Sequence, residues 1–172
     1  MFLNYLKNFF TQKIVKRSLS NVNHITSNKA IQTVGIIFDE SYFYEKDALV
    51  KELVLNGISE SNIEYLVFKD NIKKKETFDY PTFSTKDLSW TATFEKSVVK
   101  DFINHQFDLL INYYDTEKPA LLLVSNDSKA HFKVGFSSVD NKLNHFMINT
   151  NAENYKVFVE ELFKYLKILN KL

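Results

Sequence analysis

The run TVGIIFDESYFYEKDALVKELVLNGISESNIEYLVF, Thr33 to Phe68, decides the fold. Thr33 to Phe38 is a short, unbroken stretch rich in β-branched residues, the pattern of a strand covered on both faces. From Glu45 to Leu55 the apolar residues return at helical spacing and place Leu49 and Leu53, with Val50 and Val54, on one inward face. Gly57 stands just past that helix, where a residue free to take a positive φ ends it. Asn62 to Phe68 then reads as a second strand. Strand, helix and strand in this length make one βαβ unit, whose strands must run parallel because the helix carries the chain back across the sheet.

Outward from this unit the alternation continues. Lys69 to Phe78 is a polar excursion with a lysine triplet, and Tyr80-Pro81 marks an extended turn before Phe83 and a strand-like or irregular stretch to Trp90. Glu95 to His105 reads as a helix with Val98, Val99, Phe102 and Ile103 inward. It feeds Phe107 to Tyr113 (FDLLINY), a second buried strand, so that Val34, Ile36, Leu109 and Ile111 are expected in neighbouring central strands. A helix over Lys118 to Val124, a Ser/Asn/Asp loop, strands at His131 to Gly135 and Phe146 to Asn149, and a helix from Ala152 to about Leu169 complete the chain. This order predicts an α/β three-layer Rossmann-like sandwich with a mainly parallel sheet, preceded by an N-terminal amphipathic helix. With 172 residues, 45% of them hydrophobic, the expected division is a helix and hinge over 1–30 and a single α/β domain over 31–172.

The charge is unevenly distributed. Of 22 basic and 21 acidic residues, five basic and no acidic ones precede Asp39, leaving 17 against 21 for the rest. A basic arm on an acidic body points to a docking surface more than to a reaction. The absence of cysteine removes disulfides and thiolate chemistry and suits a reducing compartment. The longest apolar runs fall far short of the roughly 20 residues that span a bilayer. Asn4, Lys7 and Asn8 interrupt what a signal peptide would need as an apolar core. The expected location is cytoplasmic, with peripheral attachment at the inner membrane as a variant, and the arm is expected to stay on the protein.

FDLLINYYDTEKPALLLVSNDSKAHFKVGF, Phe107 to Phe136, resembles the strand-helix-strand passage in the N-terminal half of ADP-heptose-type glycosyltransferases, whose first strand TVGIIF also resembles. The resemblance covers about a third of the chain, implies an α/β half-domain, and departs from the family at Asp39-Glu40-Ser41, where the family has a Gly-Asp turn. The whole chain, through RSLSN, GIIFDES, LLINYYD, SKAHFKVGF and YLKILNK, resembles more closely a family of uncharacterised flavobacterial proteins known as a domain of unknown function, which implies no mechanism.

Open α/β sheets do their chemistry at the carboxyl ends of their strands. Those ends offer Asp39, Glu40 and Ser41, then Lys69 and Asp70, then Tyr114 and Asp115. Asp39 or Glu40 could act as a general base with Asp115 as its partner across the crevice, or all three could be caps and turn residues. Ser125, Asn126, Ser128 and Lys129 have the groups of a ligand loop, with Lys129 available to an anion, although such a stretch is more often an ordinary turn or a cap. Three glycines leave no glycine-rich phosphate loop, so no ATP, NAD or other cofactor is expected. Four scattered histidines give no zinc spacing, and no metal is expected. No Gly-x-Ser-x-Gly elbow occurs.

The arm is the strongest functional signal. Leu3, Leu6, Phe10 and Ile14, flanked by Phe2 and Phe9, form one apolar face, and Lys7, Lys13, Lys16 and Arg17 favour the other. Such a helix can lie on an anionic membrane, enter a protein partner, contact RNA phosphates, or fold back on its own sheet. DNA is not an expected partner. Asn and Ser residues between Ser18 and Asn28 would be its hinge.

Overall fold

Six strands form one sheet, and all of them run parallel. They are β1 (Val34–Asp39), β2 (Ile63–Phe68), β3 (Thr82–Phe83), β4 (Leu109–Tyr113), β5 (Phe132–Phe136) and β6 (Phe146–Ile148), in the order β3-β2-β1-β4-β5-β6. The computed structural model describes residues 13–17, 19, 29–70, 72–73 and 76–172, and counts of elements refer to these. The sheet is parallel throughout, where a mainly parallel one is expected from the sequence. Val34 pairs with Leu109 and Ile36 with Ile111, so the two runs expected at the centre are neighbours there.

Side chains on successive strand residues alternate between two apolar layers, as the period of two requires. Val34, Ile36, Phe38, Leu109, Ile111 and Tyr113 face helices α1 (Lys46–Leu55) and α4 (Tyr155–Ile168). Ile37, Leu66, Phe68, Leu110 and Tyr114 face α2 (Ser97–Asn104) and α3 (Pro119–Asp127). Leu49 and Leu53 are the buried residues of α1, while Val50 is only partly covered and Val54 is exposed. Gly57 follows α1 with φ +102°, the positive value expected of its stop.

The second layer is also joined by the described end of the arm. Residues 13–17 are helical, Val15 and Leu19 are buried with α2 and α3, and Lys16 pairs with Glu117 at 2.8 Å. Phe2, Leu3, Leu6, Lys7 and Phe10, and nearly all of the expected hinge, lie outside the described residues.

Helix α3 runs past its expected end. The helix read over Lys118 to Val124 continues through Ser125, Asn126 and Asp127. Ser and Asn normally compete with helix continuation by bonding to nearby backbone, but here the polar groups find partners inside the domain. Ser125 Oγ donates to Asn112 Oδ1 at 2.8 Å and lies 2.7 Å from the Tyr114 hydroxyl. The buried Lys133 ammonium donates to the carbonyls of Ser125 and Asn126, at 2.7 and 3.3 Å, where a cation complements the helix terminus. Burial pulls the Lys133 amine down to about 8. Asn112 Nδ2 completes the polar seam by donating to Asn144 Oδ1 at 2.8 Å.

Two glycines are fixed by close approach. A Cβ at Gly35 would stand 2.6 Å from the Phe107 ring, and one at Gly135 would stand 2.6 Å from Asn144 Nδ2. Gly35→Ala is expected to cost about 1–3 kcal/mol in urea unfolding, because the Phe107 ring must leave its rotamer to make room. Ile36→Asp is expected to yield no folded protein, since an unpaired charge between two apolar layers costs a large share of the total stability.

Candidate functional site

The sheet order reverses between β1 and β4, which puts the crevice of an open α/β fold beyond the carboxyl ends of these two strands. Asp39 closes β1 and its main chain is held locally: Asp39 Oδ1 accepts from the Ser41 N–H at 3.0 Å, and the Asp39 carbonyl accepts from Phe43 N–H at 3.1 Å. Lys118, the residue before Pro119 at the start of α3, reaches across the crevice. Its ammonium lies 2.7 Å from Asp39 Oδ2 and 2.9 Å from Asp70 Oδ2, beside the rings of Tyr42 and Phe68. The contact with Asp39 is off the line of a well-aligned hydrogen bond and acts as an ion pair. The crevice is thus bridged by one of the chain's own lysines.

Glu40 forms the second half of the cluster. Its N–H donates to the Phe68 carbonyl at the end of β2, which turns its side chain toward Lys46, Lys69 and Tyr80. Lys46 approaches one carboxylate oxygen at 3.2 Å and Lys69 the other at 2.9 Å. The Tyr80 hydroxyl donates to both, at 3.1 and 2.9 Å. The Lys46 ammonium also stands over the Tyr80 ring and the Lys69 ammonium over the Phe78 ring, each at 4.3 Å. Burial opposes the charge on Glu40, yet the hydrogen bonds from Lys69, Tyr80 and Lys46 outweigh it and hold its carboxyl below the ordinary value. Burial likewise opposes the charges on Lys46 and Lys69, and Glu40 overrides it, leaving both amines above theirs. Burial and Glu40 both push the Tyr80 phenol up.

The other residues named from the sequence go elsewhere. Asp115 Oδ2 accepts from the Ala152 N–H at 3.0 Å and the Asp115 carbonyl from the Ser138 hydroxyl, so Asp115 ties the loop after β4 to the approach to α4. Ser125, Asn126, Ser128 and Lys129 lie where α3 ends and the chain turns back into β5, at the amino edge of the sheet. Ser125 is buried, Ser128 Oγ accepts from the Ala130 N–H, and Lys129 N–H donates to the Ile103 carbonyl. That stretch is a helix end and a turn. Among the described residues no group of three or more His, Asp or Glu is placed to hold a metal ion. Lys46, Lys118 and Tyr80 were missed as site residues by reading strand ends alone. Lys118 carries a usable signal, since it opens a helix directly after a central strand, whereas nothing in the sequence links Tyr80 to Glu40 forty residues away.

The cluster therefore sets three ammonium groups against three carboxylates, with a depressed carboxyl and raised amines at its centre. Glu40→Gln is expected to cost about 2–3 kcal/mol, because it leaves two partly desolvated lysines without their counter-charge. In the parent chain the Glu40 contribution is present above its ordinary value of 4.5 and lost as pH falls through the lower folded value. The lysine contributions are present below 10.5 and lost as pH rises through their higher folded values. Thermal unfolding of the Glu40→Gln protein across this range should show both dependences flattened.

Among curated proteins and among solved structures nothing matches the chain. Residues 7–169 match a family of unknown function, DUF6913, and the chain belongs to that family.

Proposed function

We propose that this protein is a non-enzymatic binding or scaffold module that attaches through its basic amphipathic arm to an anionic membrane surface or a protein partner. The observation that carries the first half is the state of Glu40. Both of its oxygens are taken by lysines and a phenol, and a carboxyl stabilised as its anion is a weak proton acceptor. Asp39 is likewise held by Lys118.

Support for attachment comes from the phase of the arm. Val15 and Leu19 are buried against the body, whereas Ile14, the last member of the expected docking face, is 43% exposed, with Lys13 and Arg17 exposed around the same turn. Anchoring and docking thus use different faces. Each basic residue near an anionic surface adds about 1 kcal/mol, and the apolar face adds its own burial. Among the described residues no helix is long and apolar enough to cross a membrane.

Sedimentation of the full chain with phosphatidylserine-containing vesicles tests this reading. Binding at low salt, release at high salt and a marked loss in a Lys13→Glu, Arg17→Glu double variant are expected. Binding to RNA but not to vesicles would move the arm to nucleic acid. Binding to neither, with no partner retained from the source cells, would overturn attachment.

A second reading has one observation of its own. Ser41 Oγ is buried without a hydrogen-bond partner, at a cleft of about 350 Å³ lined also by Tyr42, Tyr44, Lys69 and Asp70. A small-ligand-binding or glycosyltransferase-like protein using the strand-end carboxylates would work there. Native mass spectrometry should then show a co-purifying polar molecule that Ser41→Ala loses.

A further inference from the structure

Strand β3 covers only the last two of the six residues of its neighbour. Its two residues pair with Val67 and Phe68, and the ladder runs from Val67 N–H to the Pro81 carbonyl and from Lys69 N–H to the Phe83 carbonyl, both at 2.9 Å. The main-chain groups of β2 that face this edge are those of every second residue, hence of Tyr65 and Ile63 before Val67. The next rung of the parallel ladder would bring an N–H from residue 81 to the Tyr65 carbonyl. Residue 81 is proline, which has none, so pairing stops there.

Among the described residues, a charge guards the edge at β3 and no strand covers this part. The outward carbonyl of Thr82 on β3 accepts from the Lys96 ammonium at 2.6 Å, a lysine placed as edge strands commonly place one. Below Pro81 the edge of β2 opens instead into a groove of about 400 Å³. Ile63 N–H is used by the preceding turn, on the Glu60 carbonyl. That leaves Tyr65 N–H, Tyr65 C=O and Ile63 C=O directed into the groove. Val98 and Phe102 of α2 form one apolar wall, and the rings of Tyr65 and Tyr80, 6.4 Å apart, form the other.

The rim is acidic. Glu64, Asp79 and Asp101 line it with His105, which lies 3.2 Å from Glu64. Among the described residues no lysine or arginine stands within ion-pair distance of these three carboxylates.

We infer that the open edge of β2 at Ile63–Tyr65 is a docking site for an extended basic peptide of a partner protein, which adds to the sheet as a further strand. Main-chain bonds to Tyr65 and Ile63 fix its register. Its side chains alternate between the two walls, apolar ones against the rings of Tyr65 and Tyr80 and lysine or arginine along Val98 and Phe102, with their charges toward Glu64 and Asp101 and toward Asp79 on the rim. The site is independent of the arm, so neither reading depends on the other.

Fluorescence anisotropy on the full chain with a short labelled peptide alternating lysine and valine is the test. Binding is expected, together with none by the glutamate-valine analogue and none by the lysine-valine peptide N-methylated at alternate residues, which keeps the charge and removes the strand donors. An Asp79→Lys, Asp101→Lys double variant changes two exposed positions and should stay folded by circular dichroism. Its affinity should fall roughly tenfold or more at low salt. Absence of binding by the lysine-valine peptide, equal binding by the glutamate analogue, or unchanged affinity after N-methylation would each overturn the proposal.

Discussion

Strand β1 hydrogen-bonds to β2 on one side and β4 on the other, both parallel, and the rest of the molecule is arranged around that arrangement. A parallel strand between parallel neighbours has no face to show to water, so its residues must supply two apolar layers at once. That requirement places α1 and α4 on one side and α2 and α3 on the other. It also brings the carboxyl ends of β1, β2 and β4 together at one rim, where charged side chains from the three segments converge.

At that rim the charges neutralise one another. Two neighbouring carboxylates at the end of one strand would repel if left alone, and partial burial would add to the cost. The chain answers with a lysine from α1, one from the end of β2 and one from the start of α3, which together fasten three separate segments to β1. The same arrangement that stabilises the rim occupies both oxygens of the Glu40 carboxylate with lysines and a phenol.

The architecture was legible because it rests on local signals. TVGIIF and FDLLINY read as strands buried on both faces, and NIEYLVF as a strand, from their β-branched and aliphatic runs alone, and Gly57 marked a helix end that is found. Strand ends pointed to Asp39, Glu40, Lys69 and Asp70, all of which belong to one cluster. Asp115 did not join it, because a residue just past a strand can turn either into the crevice or along the rim, and the Ala152 N–H decides for the latter. Ser125 misled for a related reason. Its residue type favours turns, and only the distant Asn112, Tyr114 and Lys133 make it a helix residue. In the arm, spacing identified an apolar face ending at Ile14, while the body engages the neighbouring Val15 and Leu19. Periodicity shows that a helix has faces; it does not say which one its own domain uses.

Gly135 and Asn144 occupy each other's space: the side chain of one fills the volume that a methyl group on the other would need. Asn144 is in turn the acceptor for Asn112 within the buried seam. A lineage of this family can therefore gain a side chain at 135 only if the side chain at 144 moves or shrinks, and either step takes from Asn112 Nδ2 its acceptor in the buried seam. The three positions form a single unit of substitution, and divergence among related sequences should pass through all of them together or through none.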